Sequence, residues 1–198
     1  MRYAMPVTVE QILGLAVLKD ARLLAGSAGL DRRVSSVTVG EVPDIADWLS
    51  GGEMVLSTMF AVKGDLDRQR EFCKRVMMAD AAALFVKTTR FVESIPQDII
   101  ELAEKRKFPI VEVPQGLRWT RLMQDATELI INRHASLLER ARSIHRGLLG
   151  VVIKGGTWQE LIDEVTRLLE RRVVVMDSSL EVLGSSKDLP ISVSDLKA

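Results

Sequence analysis

Three short runs decide the fold: Glu53-Met54-Val55-Leu56-Ser57-Thr58, Ala82-Ala83-Leu84-Phe85-Val86 and Pro109-Ile110-Val111-Glu112-Val113-Pro114. Each is apolar, compact and bounded by glycine, proline or charged residues, which marks a strand rather than a helix. The middle run carries no polar side chain, as expected of a strand covered on both faces. Between the first and second runs, Asp65 opens a helical pattern to about Asp80, with Leu66, Phe72, Cys73, Val76 and Met77 apolar. Between the second and third, Pro96 suits the first residue of a helix reaching about Lys107. Strand, helix, strand, helix, strand predicts a parallel sheet with right-handed crossovers. The fold class is α/β with a largely parallel sheet.

Toward the N-terminus, Thr8-Val9-Glu10-Gln11 reads as a capping box, and a helix should follow through about Leu18. Ala21 to Gly26 is expected as a short strand, followed by a glycine-bearing turn through Gly29. Val34 to Val39 alternates valine with serine or threonine, the period of a half-buried strand. Pro43-Asp44 opens a helical turn with Ile45, Trp48 and Leu49, stopped by Ser50-Gly51-Gly52. Residues 1–117 therefore form the first, α/β domain.

After Gly116 a long helix is predicted from about Leu117 to Val152. A heptad frame fits Thr127, Ile130, His134, Leu137, Ala141, Ile144, Leu148 and Val151, which suggests a dimerising coiled coil over the linker 118–154. Ile131 and Leu138 widen the stripe, so packing in a bundle or on a domain also fits. Gly155-Gly156 ends it, and Thr157-Trp158-Gln159-Glu160 is a second capping box. A helix to about Arg171 and a hairpin, Val173 to Asp177 with Leu180 to Gly184, follow. Residues 155–198 are a small stretch for independent stability. They are expected to be the truncated start of a second domain.

The composition is globular, with 47% hydrophobic and 27% charged residues among 198. Lys+Arg and Asp+Glu are both 27, but the balance is uneven: net −1 over 1–117, +4 over 118–154 and −3 over 155–198. The single cysteine, Cys73, excludes an intrachain disulfide and a thiolate metal cluster. Only His134 and His145 offer imidazole, so no metal site is expected. No apolar stretch is long enough to span a membrane and no secretory h-region opens the chain, so a cytoplasmic protein without membrane contact is expected.

Catalytic signatures are missing: no GxxxxGK[ST] loop, no GxGxxG after a strand, no GxSxG and no HExxH. The densest polar constellation is Glu41, Asp44, Asp47 and Glu53 with Trp48, Thr58, Lys87 and Arg90. In open parallel sheets ligands collect beyond the carboxyl ends of strands. Glu41, Asp44, Trp48, Thr58, Lys87 and Arg90 are accordingly the candidate ligand-binding residues, against the alternative that they are loop charges in solvent. Ile130, His134, Leu137, Ala141, Ile144 and Leu148 are the candidate dimerisation residues. No catalytic residue and no cofactor is called for. Arginines dispersed around the long helix favour a solvated face over a nucleic-acid surface.

The run from Val37 to Thr58, with Glu41, Asp44, Trp48-Leu49 and Gly52-Glu53-Met54-Val55-Leu56-Ser57-Thr58, resembles the N-terminal domain of PucR-type (purine catabolism regulator-like) bacterial transcription factors. Thr8-Val9, Ile95-Pro96 and Phe108-Pro109-Ile110 fit as well, so the resemblance covers about residues 5–130; Ser57 stands where threonine is common. The resemblance implies a regulatory, non-enzymatic chain that dimerises, senses a purine or its breakdown product, and reaches DNA only through a C-terminal helix-turn-helix absent from these residues. It also implies that residues 155–198 open a GAF-like sensory domain. A fold-level analogy to Mur ligases keeps a nucleotide-binding module of a ligase or hydrolase as the alternative. A purely structural dimerisation module is a third reading.

Overall fold

The central strands are buried because most of their side chains are apolar. In the computed structural model, which describes residues 6–179 and 181–186 with the side chains of 134, 137 and 140 outside that description, β3 (Glu53–Ser57), β4 (Ala83–Val86) and β5 (Ile110–Glu112) pair in parallel. Every side chain of β4 is fully buried. Each large one contributes roughly 1.5–3 kcal/mol by leaving water. β2 (Ser36–Val39) adds in parallel to β3, and β1 (Arg22–Ala25) pairs antiparallel with β5, giving the order β1-β5-β4-β3-β2. The alternation of runs predicts this largely parallel α/β sheet, and the antiparallel β1 is added by the fold. β2 lies at the edge, and Val39 is correspondingly exposed.

Strand alternation sends side chains to two separate cores. Val55, Leu84, Val86 and Ile110 face α2 (Leu66–Met78) and α3 (Gln97–Lys105), packing with Phe72, Cys73, Val76, Ile99 and Ala103. Met54, Leu56, Ala83, Phe85 and Val111 face the other way, onto Val9 and Ile12 of α1 (Val9–Leu13) and onto Leu122, Ala126 and Ile130. The last three belong to α4 (Trp119–Ile153) and recur every fourth residue, one stripe of a helix. The result is a sheet between two helical layers. Burial pushes the Cys73 thiol up to about 12, so it stays protonated and packs as a small apolar group.

The α1 cap forms as the sequence indicates: Thr8 Oγ1 accepts from the Gln11 N–H at 3.3 Å, and the Gln11 side chain accepts from the Thr8 N–H at 3.2 Å. The helix ends at Leu13 rather than Leu18, because Gly14 caps it and Leu15 turns extended before a 3₁₀ turn at Ala16–Leu18. Thr8→Ala is expected to cost about 1 kcal/mol, read from urea denaturation. An unchanged midpoint would show that the cap contributes nothing here. Beyond β1 the chain passes so close to the loop that leads into β5 that a Cβ on Gly29 would sit 1.8 Å from the Lys107 carbonyl oxygen. Only glycine admits that approach.

The described residues divide into two compact units, within 6–134 and within 135–186. The division falls inside α4, not at residue 117, because Leu122, Ala126 and Ile130 are part of the first unit's core. In the second unit Thr157 caps α5 (Trp158–Leu169), and β6 (Val174–Met176) pairs antiparallel with β7 (Val182–Ser185). Leu180, placed in the hairpin by its sequence, lies outside the described residues. Gly147 of α4 meets α5 closely: a Cβ there would lie 2.7 Å from Leu168 Cδ1.

Candidate functional site

Four parallel strands end at one edge of the sheet, and each exit carries a polar residue. Glu41 follows β2, Thr58 follows β3, Lys87 and Thr88 follow β4, and Gln115 follows β5. The antiparallel β1 starts at the same edge, with Arg22 opposite Glu112. The Glu41 carboxylate accepts from the Thr58 N–H and from its hydroxyl, both at 2.7 Å, and so joins the exits of β2 and β3. Thr88 donates its hydroxyl to Glu112, which pairs with Arg22 at 2.7 Å. Gln115 donates its amide to the Thr88 carbonyl and, at 3.2 Å, to Thr89 Oγ1. Arg22, Thr88, Thr89, Glu112 and Gln115 line a cavity of about 340 Å³ with Asp20, Val113 and Pro114, and Glu41, Thr58 and Lys87 lie outside it.

Lys87 is the hinge of the arrangement. It is buried, and its ammonium donates to the carbonyls of Gln115, at 3.3 Å, and of Leu117 while standing 4.3 Å from the centre of the Trp119 ring. One cation thus links the end of β4 to the first turn of α4. Desolvation lowers its pKa, the Arg90 charge lowers it further, and Glu41 opposes both.

The structure brings Glu41, Thr58, Lys87 and Arg90 to this edge. Asp44 instead precedes, and Trp48 ends, the 3₁₀ turn Ile45–Trp48, which packs against α2. Asp44 acts there on Arg75, whose guanidinium pairs with Asp47, and Trp48 is 75% exposed. Arg22, Glu112 and Gln115 join the site without being among the candidate residues the sequence offers. A carboxylate inside the otherwise apolar Ile110–Val113 run is the one signal that points to Glu112. Of the heptad residues, Ile130 is committed to the first unit's core, so that position is closed to a helix seam. Ala141 is exposed, Ile144 and Leu148 are half-buried, and the side chains of His134 and Leu137 lie outside the described residues.

Among the described residues no helix is long and apolar enough to cross a membrane. Residues 11–130 match the purine catabolism regulatory protein-like family. The chain is 27% identical over 191 residues to the purine catabolism regulatory protein of Bacillus subtilis (strain 168), covering 96% of this chain and 36% of that protein. It spans little more than a third of that relative's length. Among solved structures, the CBS and DRTGG domains of the regulatory region of Clostridium perfringens pyrophosphatase, complexed with the activator diadenosine tetraphosphate, share 14% identity. That alignment covers 90% of this chain and 67% of the other at a TM-score of 0.42, a likeness too remote to bear on fold or function. With more than half of its length inside the family match, and with the α/β sheet described above, the chain belongs to the purine catabolism regulatory protein-like family.

Proposed function

We propose that this chain is the effector-sensing and dimerising part of a bacterial PucR-like transcription regulator, acting in the cytoplasm without catalysis of its own. A purine or a breakdown product of one binds at the strand-exit edge, and α4 carries the signal toward a DNA-binding helix-turn-helix elsewhere in the full protein. The observation that supports this is the position of Lys87. The ammonium follows β4, donates to the segment that leads into α4 and stands over Trp119, the first residue of that helix, so a ligand that shifts β4's exit also shifts the helix root. An effector acts only if it binds two arrangements of that root unequally. Dimerisation is assigned to the second half of α4, where Leu138, Leu149 and Val152 stay exposed within their unit.

The test is a thermal-shift panel of purine bases, nucleosides and ring-opened breakdown products on wild type and Lys87→Met. At a hundred times Kd an effector stabilises by about 2.7 kcal/mol, which raises Tm by roughly 5–10 °C at this size. Trp119 fluorescence should respond to the effector in wild type and not in Lys87→Met. No stabilisation by any member of the panel would leave a scaffold only. A monomer in sedimentation equilibrium at high protein concentration would remove the dimerisation part.

A further inference from the structure

The same edge carries an aromatic and cationic patch outside the hydrogen-bonded network. Phe60 follows β3, Phe91 follows β4, and their rings meet edge to face with centroids 4.9 Å apart and planes at 70°. Lys63 Nζ stands 4.4 Å from the Phe60 centroid, and the Arg90 guanidinium carbon stands 4.9 Å from that of Phe91. Phe60 is 48% exposed. Among the described residues neither cation is ion-paired with a carboxylate. Arg32, Arg70 and Arg75 of the same unit each have one.

The backbone indicates that this pair is placed, not left over. Met59 (φ 61°) and Thr89 (φ 74°) are both left-handed although neither is glycine. Such residues are strained and persist only where the surroundings hold them. Ser57 Oγ holds the first by accepting from the Met59 N–H at 3.0 Å, and the Val92 carbonyl holds the second by accepting from the Thr89 N–H at 2.6 Å. These two turns, in successive crossover loops, bring Phe60 and Phe91 together.

We infer that the loops after β3 and β4 form a binding site for a small ligand joining a planar ring to an anionic group, of the nucleoside monophosphate class. The ring lies against Phe60, and the anion is held by Arg90 and Lys63. A guanidinium fixed over a ring presents its N–H fork to a phosphate in two-bond geometry. An exposed aromatic face stacks a base without regard to its sequence context. A plain anion has no use for the phenyl ring, and an apolar partner would have to strip water from two unpaired cations. A nucleic-acid strand needs an extended basic track, whereas residues 1–117 carry a net charge of −1. The inference deepens the sensing reading by naming the ligand class, and rests on that reading only for what binding accomplishes.

The experiment is calorimetric titration of the chain with AMP, adenosine, ribose 5-phosphate and a single-stranded oligonucleotide. It uses wild type, Phe60→Leu, Phe60→Ala, Arg90→Ala and, as a remote control, Lys105→Ala on α3. AMP is expected to bind wild type and Lys105→Ala alike, and at least tenfold more weakly to Arg90→Ala and to either Phe60 variant. Adenosine and ribose 5-phosphate, each holding half of the ligand, should bind wild type at least tenfold more weakly than AMP. Phe60→Leu keeps apolar bulk while removing the ring, so a folding defect in Phe60→Ala does not obscure the outcome. The inference is overturned by absence of AMP binding at millimolar concentration, by unchanged affinity in Phe60→Leu and Arg90→Ala, by ribose 5-phosphate binding as tightly as AMP, or by the oligonucleotide binding more tightly than AMP. Should the purine panel stabilise the protein while any of these results holds, the ligand class falls and the sensing reading stands. Should AMP bind as expected with no response at Trp119, the site stands and the sensing reading falls.

Discussion

Leu122→Ala is expected to lower stability by about 2–5 kcal/mol, measured by urea denaturation. Leu122 is fully buried among Met54, Leu56, Phe85 and Val111 on one face of the sheet, and it anchors the first half of α4 there. Truncation removes its transfer energy and leaves a cavity that a rigid sheet fills only in part. Nine residues along the helix, Ile131 is 58% exposed, and Ile131→Ala should stay within about 0.5 kcal/mol. The contrast measures whether the first half of α4 belongs to the domain or stands free as a linker. A loss below 1 kcal/mol for Leu122→Ala, equal to that of Ile131→Ala, would favour the free helix.

Lys87→Glu should cost about 3–5 kcal/mol, because it sets a carboxylate against the carbonyls of Gln115 and Leu117 in a site with little water. Lys87→Met keeps the stem against Trp119 and loses only the donated hydrogen bonds, about 1–2 kcal/mol. The two variants therefore separate charge from packing. The lowered pKa adds a pH signature. With the folded-state value below that of the unfolded chain, the unfolded chain binds more protons between the two values. The contribution of Lys87 to stability accordingly rises as pH climbs through that alkaline window, and at lower pH the cost of keeping the buried charge is fully present. The difference in stability between wild type and Lys87→Met should shift in favour of wild type across that window. A constant difference would show that the lysine feels no burial.

Much of the fold was legible because the evidence for it is local. The runs at 53–58, 82–86 and 109–114 are short, apolar and bounded, and both capping boxes satisfy their own backbone donors. The edge location of Thr58, Lys87 and Glu41 also follows from local order, since residues just after parallel strands must emerge on one side. Asp44 and Trp48 follow β2 as well, yet their turn packs toward α2, and composition gives no sign of that direction. The Arg22–Glu112 pair depends on β1 adding antiparallel to β5, a pairing between distant parts of the chain. Phe60 and Phe91 meet only because Met59 and Thr89 take a conformation that composition signals with glycine, and neither is glycine.

By itself the sequence determined the α/β class, the element order, the caps and the chemistry available at the strand exits. Each of these rests on periodicity or on contacts within a few residues. Only the tertiary structure decided what α4 serves. Ile130 fits both a heptad seam and the every-fourth-residue stripe of Leu122 and Ala126, and one helical period supports either. The choice is made by Met54, Leu56, Phe85 and Val111, whose apolar face must be covered and which α4 covers jointly with α1. A single helix has one stripe to offer, and along its first half the sheet occupies it.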